Sequence, residues 1–260
     1  MSIRVNLEKI ELDSNIRKNV EEPVAYEEPV NIFVNNIYVV TLLATPRYIR
    51  ELAIGWIFTE GVLQSIQELK QVIVDSDSAN ILTKNPIDKN KLQVSGVSRL
   101  ITTACGLTTE KFLKIISGIS EKIVESEYKI RAENIPRMIN ELEEGKLFQS
   151  TGGVHVAALF EKESLLAFAE DVGRHNAVDK VVGIGIKSEA DFSNSIIVSS
   201  GRQPADMVLK VARVGIPIII SRAAPIRSGI MAAQKTGLTL ICFARENRFN
   251  VYTNSQRILM

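Results

Sequence analysis

Ser195–Thr253 reads SIIVSSGRQPADMVLKVARVGIPIIISRAAPIRSGIMAAQKTGLTLICFARENRFNVYT. Short apolar runs alternate here with segments of helical spacing. Ser195–Ser199 reads as a strand, and Ala205–Val214 as a helix that turns Val208, Val211 and Ala212 inward. Ile216–Ile220 is a second strand, Ile226–Thr236 a second helix, Leu238–Phe243 a third strand, and Phe249–Thr253 one more. Strand–helix alternation with helices of this length implies parallel strands joined by crossover helices. The unbroken apolar runs IPIII and LTLICF suit strands covered on both faces.

Working outward, Ala177, Val178, Val181 and Val182 have helical spacing, after a strand pair at Val154–Phe160 and Leu165–Ala169. A charged amphipathic helix is expected over Glu133–Leu147. Leu100–Ala104 reads as a strand running into Cys105-Gly106, followed by a helix burying Phe112, Ile115, Ile116, Ile119 and Ile123. Nearer the start, Val30–Val34 and Ile37–Leu42 flank Asn35-Asn36, a pair that tolerates the positive φ of a tight hairpin. Thr45-Pro46 reads as N-cap and first helical residue, with Ile49, Leu52, Ala53, Trp56 and Ile57 at helical spacing and Gly61 ending the run. Short strands and turns are expected over residues 71–100. The fold class is therefore α/β, or α+β taken overall. A polar arm or edge strand (1–22) leads into a small α+β unit (23–98) and a larger α/β domain with a mixed sheet and flanking helices (99–260).

The 260 residues are 45% hydrophobic and 23% charged, with a formal charge of +1. Nothing global steers such a chain toward nucleic acid, so attraction to an anion must come from local Arg and Lys clusters. Two cysteines, Cys105 and Cys242, make no disulfide framework and point to a reducing cytoplasm. No apolar run approaches the ~20 residues of a membrane span, so the expectation is a cytoplasmic protein with neither a nucleic-acid nor a membrane partner.

Ligands of parallel sheets bind beyond the carboxyl ends of the strands. Those ends carry Ser199-Ser200-Gly201-Arg202, Ser221-Arg222-Ala223 and Ala244-Arg245-Glu246-Asn247-Arg248. Any single loop can hold an Arg merely for solvation, but three on one edge read as an anion or nucleotide site. Cys105 stands just before a helix, where exposed N–H groups would lower a thiol pKa that otherwise leaves about 3% thiolate at pH 7. A lone cysteine otherwise serves as a small buried hydrophobe, and Cys242, inside LTLICF, fits that role. Both histidines, His155 and His175, lie in polar glycine-bearing motifs, TGGVH and EDVGRHN, and the second also holds Arg174. A zinc deaminase site needs His-x-Glu with Pro-Cys-x-x-Cys; the chain has neither, and no zinc is expected.

The runs TTACGLTT, STGGVHVAALF, AEDVGRHNAVDKVVG, SSGR, VGIP and GLTLICFARENRFNVYT, with the earlier EEPVNIFVNN and TPRYIRELAIGWIFTEGVL, resemble the FdhD family of formate dehydrogenase accessory sulfurtransferases over residues 22–254. The resemblance implies a larger domain of cytidine-deaminase-like fold, a cytoplasmic homodimer, and a carrier that takes sulfur from a cysteine desulfurase. The acceptor it implies is the Mo-bis(molybdopterin guanine dinucleotide) cofactor of formate dehydrogenase, with GDP or GTP as mimics. It assigns the persulfide to Cys105 and cofactor binding to Phe243, Ala244, Arg245, Glu246, Asn247 and Arg248. Arg202, Arg222, His155, Arg174 and His175 join that set from their positions at the strand ends and in the polar motifs. The family often has Cys-x-x-Cys where this chain has Cys105-Gly106-Leu107-Thr108, so a single thiol must hold the sulfur. Two other readings remain: a cofactor-binding chaperone without sulfur chemistry, and a nucleotide-processing enzyme on the deaminase-like scaffold.

Overall fold

A computed structural model describes residues 1–87 and 124–260. Cys105, the strand expected before it and the helix expected after it lie outside the described residues. The chain begins with β1 (Ser2–Glu11) and β2 (Ile16–Ala25), an antiparallel ribbon where a polar arm or edge strand was expected. Next come β3 (Glu28–Val34), β4 (Ile37–Ala44), α1 (Ile49–Thr59), β5 (Leu69–Asp75) and β6 (Ser78–Thr83). These strands form a sheet of order β4-β3-β6-β5. Asn35 and Asn36 both take positive φ, 50° and 65°, which closes the β3–β4 hairpin as their residue types require.

Thr45 is not the N-cap of α1, because the helix starts four residues later, after Tyr48 in a left-handed conformation. Thr45 is buried instead, and its polar groups are committed elsewhere: its N–H donates to Asp171, its hydroxyl accepts from Val172 N–H and its carbonyl accepts from Lys180.

The second unit opens with β7 (Ile130–Arg131), α2 (Ile135–Asn140) and α3 (Lys146–Thr151). One helix was expected over Glu133–Leu147; instead α2 tightens into a 3₁₀ turn over Glu141–Glu144, and the chain breaks at Gly145, where the Glu170 carboxylate approaches so closely that a Cβ would collide with it. Glu170 accepts the N–H groups of Leu147 and Phe148 (3.3 and 2.7 Å), which restarts the chain as a separate helix. Then follow β8 (His155–Glu161), β9 (Ser164–Asp171), α4 (Arg174–Lys187), β10 (Ser195–Ser199), α5 (Ala205–Arg213), β11 (Ile218–Ser221), α6 (Arg227–Thr236), β12 (Thr239–Cys242), β13 (Asn250–Val251) and β14 (Ile258–Leu259).

The main sheet runs β13-β12-β11-β10-β8-β9. β10, β11 and β12 are parallel, as the alternation required, and β8, β9 and β13 make it mixed. Its strands alternate between two cores. Ile197, Ile219 and Leu240 face α4, α5 and α6, while Ile196, Val198, Ile218, Ile220 and Ile241 face Met138 and Ile139 of α2. Burial on both faces is why these strands read as continuous apolar runs.

The two units meet where α1 lies along α4. A Cβ on Gly55 would overlap the carbonyl oxygen of Asp179, and one on Gly183 would overlap that of Glu51, so the backbones touch through glycines on both sides. Among the described residues no helix is long and apolar enough to cross a membrane.

Candidate functional site

Parallel pairing puts the carboxyl ends of β10, β11 and β12 on one edge of the main sheet. β8 runs antiparallel to β10, so its first residue, His155, lies on that same edge. β9 pairs Asp171 with His155 and delivers the chain into α4, whose first residues are Arg174 and His175. All the candidate residues that are described therefore share one edge, and they divide into two groups along it.

The first group lies at β8, β9 and β10. His155 Nδ1 is 3.2 Å from Ser200 Oγ, which also accepts the Val156 N–H at 2.9 Å. Burial pushes the His155 pKa below its ordinary value, and the nearby charges of Arg174, His175 and Arg202 push it the same way. All of these influences favour the neutral imidazole. Arg174 lies directly over Gly201, close enough that any side chain there would strike it, and its buried Nε has no hydrogen-bond partner. His175 Nε2 is 3.1 Å from Asp206 Oδ2, but the contact is poorly aligned for a hydrogen bond. Burial pushes the Asp206 carboxyl up, but His175, the Met207 N–H and Arg174 together bring its pKa down to about 2. Arg202 is exposed.

The second group follows β11 and β12. Arg222 pairs with Glu143, from the turn between α2 and α3. Arg245 is half-buried and braces its own loop, donating to the carbonyls of Arg222 (2.6 Å) and Ala244 (2.7 Å). Ala244 is fully buried among core residues, so it offers a ligand only its backbone. Phe243, Glu246, Asn247 and Arg248 are exposed, and Phe243 takes a positive φ of 53° that turns the chain out of β12. Arg248 has no ion pair among the described residues. Strand spacing of about 4.8 Å puts the β12 and β8 ends roughly 14 Å apart.

Sequence reasoning placed Ser200 at its strand end without a partner, and it missed Asp206 and Gln203. Gln203 directly follows the quoted Ser200-Gly201-Arg202, and Asp206 in the first turn of α5 was a visible signal. Gln203 is fully buried, donates to Gly201 O at 2.8 Å and leaves Oε1 without a partner. Cys242 is buried in β12, and burial raises its thiol pKa to about 12, so it is unreactive near neutral pH. Among the described residues no three His, Cys, Asp or Glu side chains group closely enough to hold a metal.

The EDVGRHNAVDK motif splits between this edge and the interior. Asp171 accepts from Thr45 N, Gly173 N, Asn176 Nδ2 and Lys180 Nζ (3.2, 2.8, 3.0 and 2.5 Å). Asn176 also donates to Leu43 O at 2.7 Å. Asp179 meets Lys210 and Thr59, and Lys210 also meets Glu60 at 2.7 Å. Burial pushes the Asp171 carboxyl up and the Lys180 ammonium down. Only Arg174 and His175 of the motif's charged side chains face the strand-end edge.

The family model described as FdhD/NarQ family matches residues 25–259. The chain is 35% identical to the sulfur carrier protein FdhD of Shouchella clausii, covering 92% of this chain and 91% of that one. It is 35% identical to that of Methanothermobacter thermautotrophicus over the full length of both. A solved structure described as a "putative formate dehydrogenase accessory protein" from Desulfotalea psychrophila superposes with a TM-score of 0.80 at 29% identity, covering 99% of each chain. By sequence and by architecture, the chain belongs to the FdhD/NarQ family.

Proposed function

We propose that this chain is a sulfur carrier that serves formate dehydrogenase. It takes sulfur from a cysteine desulfurase onto Cys105 and delivers it to the enzyme's Mo-bis(molybdopterin guanine dinucleotide) cofactor, acting in the cytoplasm as a homodimer. The observation that carries this reading is the strand-end edge, where Arg202, Arg174, His175 and Arg248 line up in two groups (Arg174 and His175 opening α4, Arg248 beyond β12). Groups roughly 14 Å apart suit an elongated ligand with phosphates at separate points better than a single small anion. The relatives' name, sulfur carrier protein, supports the cargo.

In loading, the Cys105 thiolate attacks the outer sulfur of the donor persulfide. A new S–S bond forms, the donor's S–S bond breaks, and the donor leaves as a thiolate, so no electrons are gained or lost overall. In delivery, the acceptor supplies the electron pair that takes the terminal sulfur, and Cys105 leaves as a thiolate. This sequence needs no second cysteine in the chain.

Intact-mass measurement after incubation with a cysteine desulfurase and cysteine tests the reading. Wild type and Cys242→Ala should each gain the mass of one sulfur, and Cys105→Ala should gain none. Loading that survives Cys105→Ala, or no loading of the wild type, overturns sulfur carriage. The second result would leave the chain as a cofactor-binding chaperone, the reading its single Cys105 thiol otherwise favours.

A further inference from the structure

The β1–β2 ribbon contributes no residue to any of the cores. Its ten-residue strands pair only with each other among the described residues, and a two-stranded ribbon alone is marginal in water. Directly opposed residues share a face, so Ile3 with Val24, Val5, and Leu7 with Val20 form an apolar stripe, with Ile16 on the same face beyond the Lys9–Lys18 pair. The apolar residues of that face are largely bare: Ile3 is 48% exposed, Val24 42%, Val5 37% and Ile16 47%. The tip residue Leu12 is 88% exposed.

Two further features limit what can cover the ribbon. The first is the centre of β1, Arg4–Glu8 (RVNLE), which is self-complementary about Asn6. Laid antiparallel on a second copy in that register, Arg4 opposes the partner's Glu8 and Val5 opposes the partner's Leu7, and the two-fold axis repeats both pairs. The register centred between Asn6 and Leu7 would set Arg4 against the partner's Lys9, and like charges directly opposed are destabilising. The second feature is a cleft of about 260 Å³ at the ribbon's root, lined in part by Met1, Ser2, Tyr48, Leu147 and Phe168. The Asn6-centred register carries Leu12 just past the partner's Met1, level with that cleft.

We propose that the ribbon is a self-association arm. β1 adds antiparallel to β1 of a second copy about Asn6, and each Leu12 tip seats at the cleft beside the partner's Met1. Edge pairing supplies the main-chain hydrogen bonds, the Val5–Leu7 contacts extend the apolar stripe across both copies, and the interface is isologous. The inference rests on the two-copy assembly proposed above and assigns it a surface.

Sedimentation equilibrium over a concentration series tests it on the full chain. Wild type should reach twice the 28.8 kDa chain mass. Arg4→Glu sets acid against acid at both symmetry-related pairs, and Glu8→Arg sets base against base, so each should raise the dimer dissociation constant at least tenfold. Mixing the two variants sets the acid introduced by one against the base introduced by the other and keeps one native Arg4–Glu8 pair. The mixture should therefore restore wild-type association. A purely local effect on the ribbon, through the lost Arg4–Glu21 or Glu8–Arg17 pairs, would not be rescued by mixing. A wild type that stays monomeric overturns the assembly itself. A dimeric wild type with unaffected variants, or a mixture that fails to associate, overturns the arm alone.

Discussion

Residues Glu170–Lys180 build two regions of opposite character. On the interior side, Asp171, Asn176, Asp179 and Lys180 are buried and bonded to residues of the first unit: Thr45, Leu43 and Thr59. On the other side, Arg174 and His175 reach the strand-end edge, where polar atoms of Arg174 and Gln203 are buried without partners. The seam bonds its buried charges and locks two units together; the edge leaves a donor and an acceptor unused, which is what a ligand site requires. A motif dense in charge is thus not uniformly a binding motif. Its turn presents function, and its flanks fix the turn in place.

Breaking the seam should have the largest effect. Lys180→Met leaves Asp171 with three of its four donors and no compensating charge, and should cost about 3–5 kcal/mol of stability. Urea denaturation of the variant checks this, and a loss under 1 kcal/mol would deny the seam its role. Gly55→Ala should cost roughly 3 kcal/mol, the upper part of the usual range for overpacking, because the obstacle is backbone of Asp179 rather than a movable side chain. Thermal melting reads it, and an unchanged melting temperature would mean that α1 and α4 separate freely.

At the edge the expected order reverses, with ligand binding sensitive and folding not. Arg248→Ala should weaken GDP binding at least tenfold, in line with the about 1.5–3 kcal/mol of a charged hydrogen bond. Its melting should match that of the parent, and Lys89→Ala should bind GDP as the wild type does. Arg245→Ala should lower both quantities, since that guanidinium braces the loop. Calorimetric titration beside melting separates the two arginines, and identical behaviour would erase the distinction between brace and ligand donor.

The smallest effect concerns Asp206. Its folded pKa of about 2 lies below the ordinary 3.8, so its contribution is complete above 3.8 and is lost as pH falls through about 2. The side chain is 44% exposed, so solvent screening should hold the contribution below ~1 kcal/mol. Asp206→Asn should therefore narrow its stability gap to wild type on acidification through this window. A gap that stays constant would detach Asp206 from His175.

Much of the main sheet was legible in the chain because its cause is local. A strand buried on both faces must be apolar at every position, and IPIII and LTLICF announce that without knowledge of their neighbours. Parallel connection then puts the strand ends on one edge, which is how Arg202, Arg222 and Arg245–Arg248 were found. The break at Gly145 and the displaced start of α1 were not legible, because the residues that decide them, Glu170 and Asp171, lie 25 and 126 positions away in sequence from Gly145 and Thr45. The sequence by itself determined the alternation of elements, the edge and the family pattern, since each follows from periodicity or residue type. Only the tertiary structure decided which members of Glu170–Lys180 are interior and which face outward. That partition depends on Leu43, Thr45 and Thr59, brought from far along the chain to satisfy buried charge that no local spacing could satisfy.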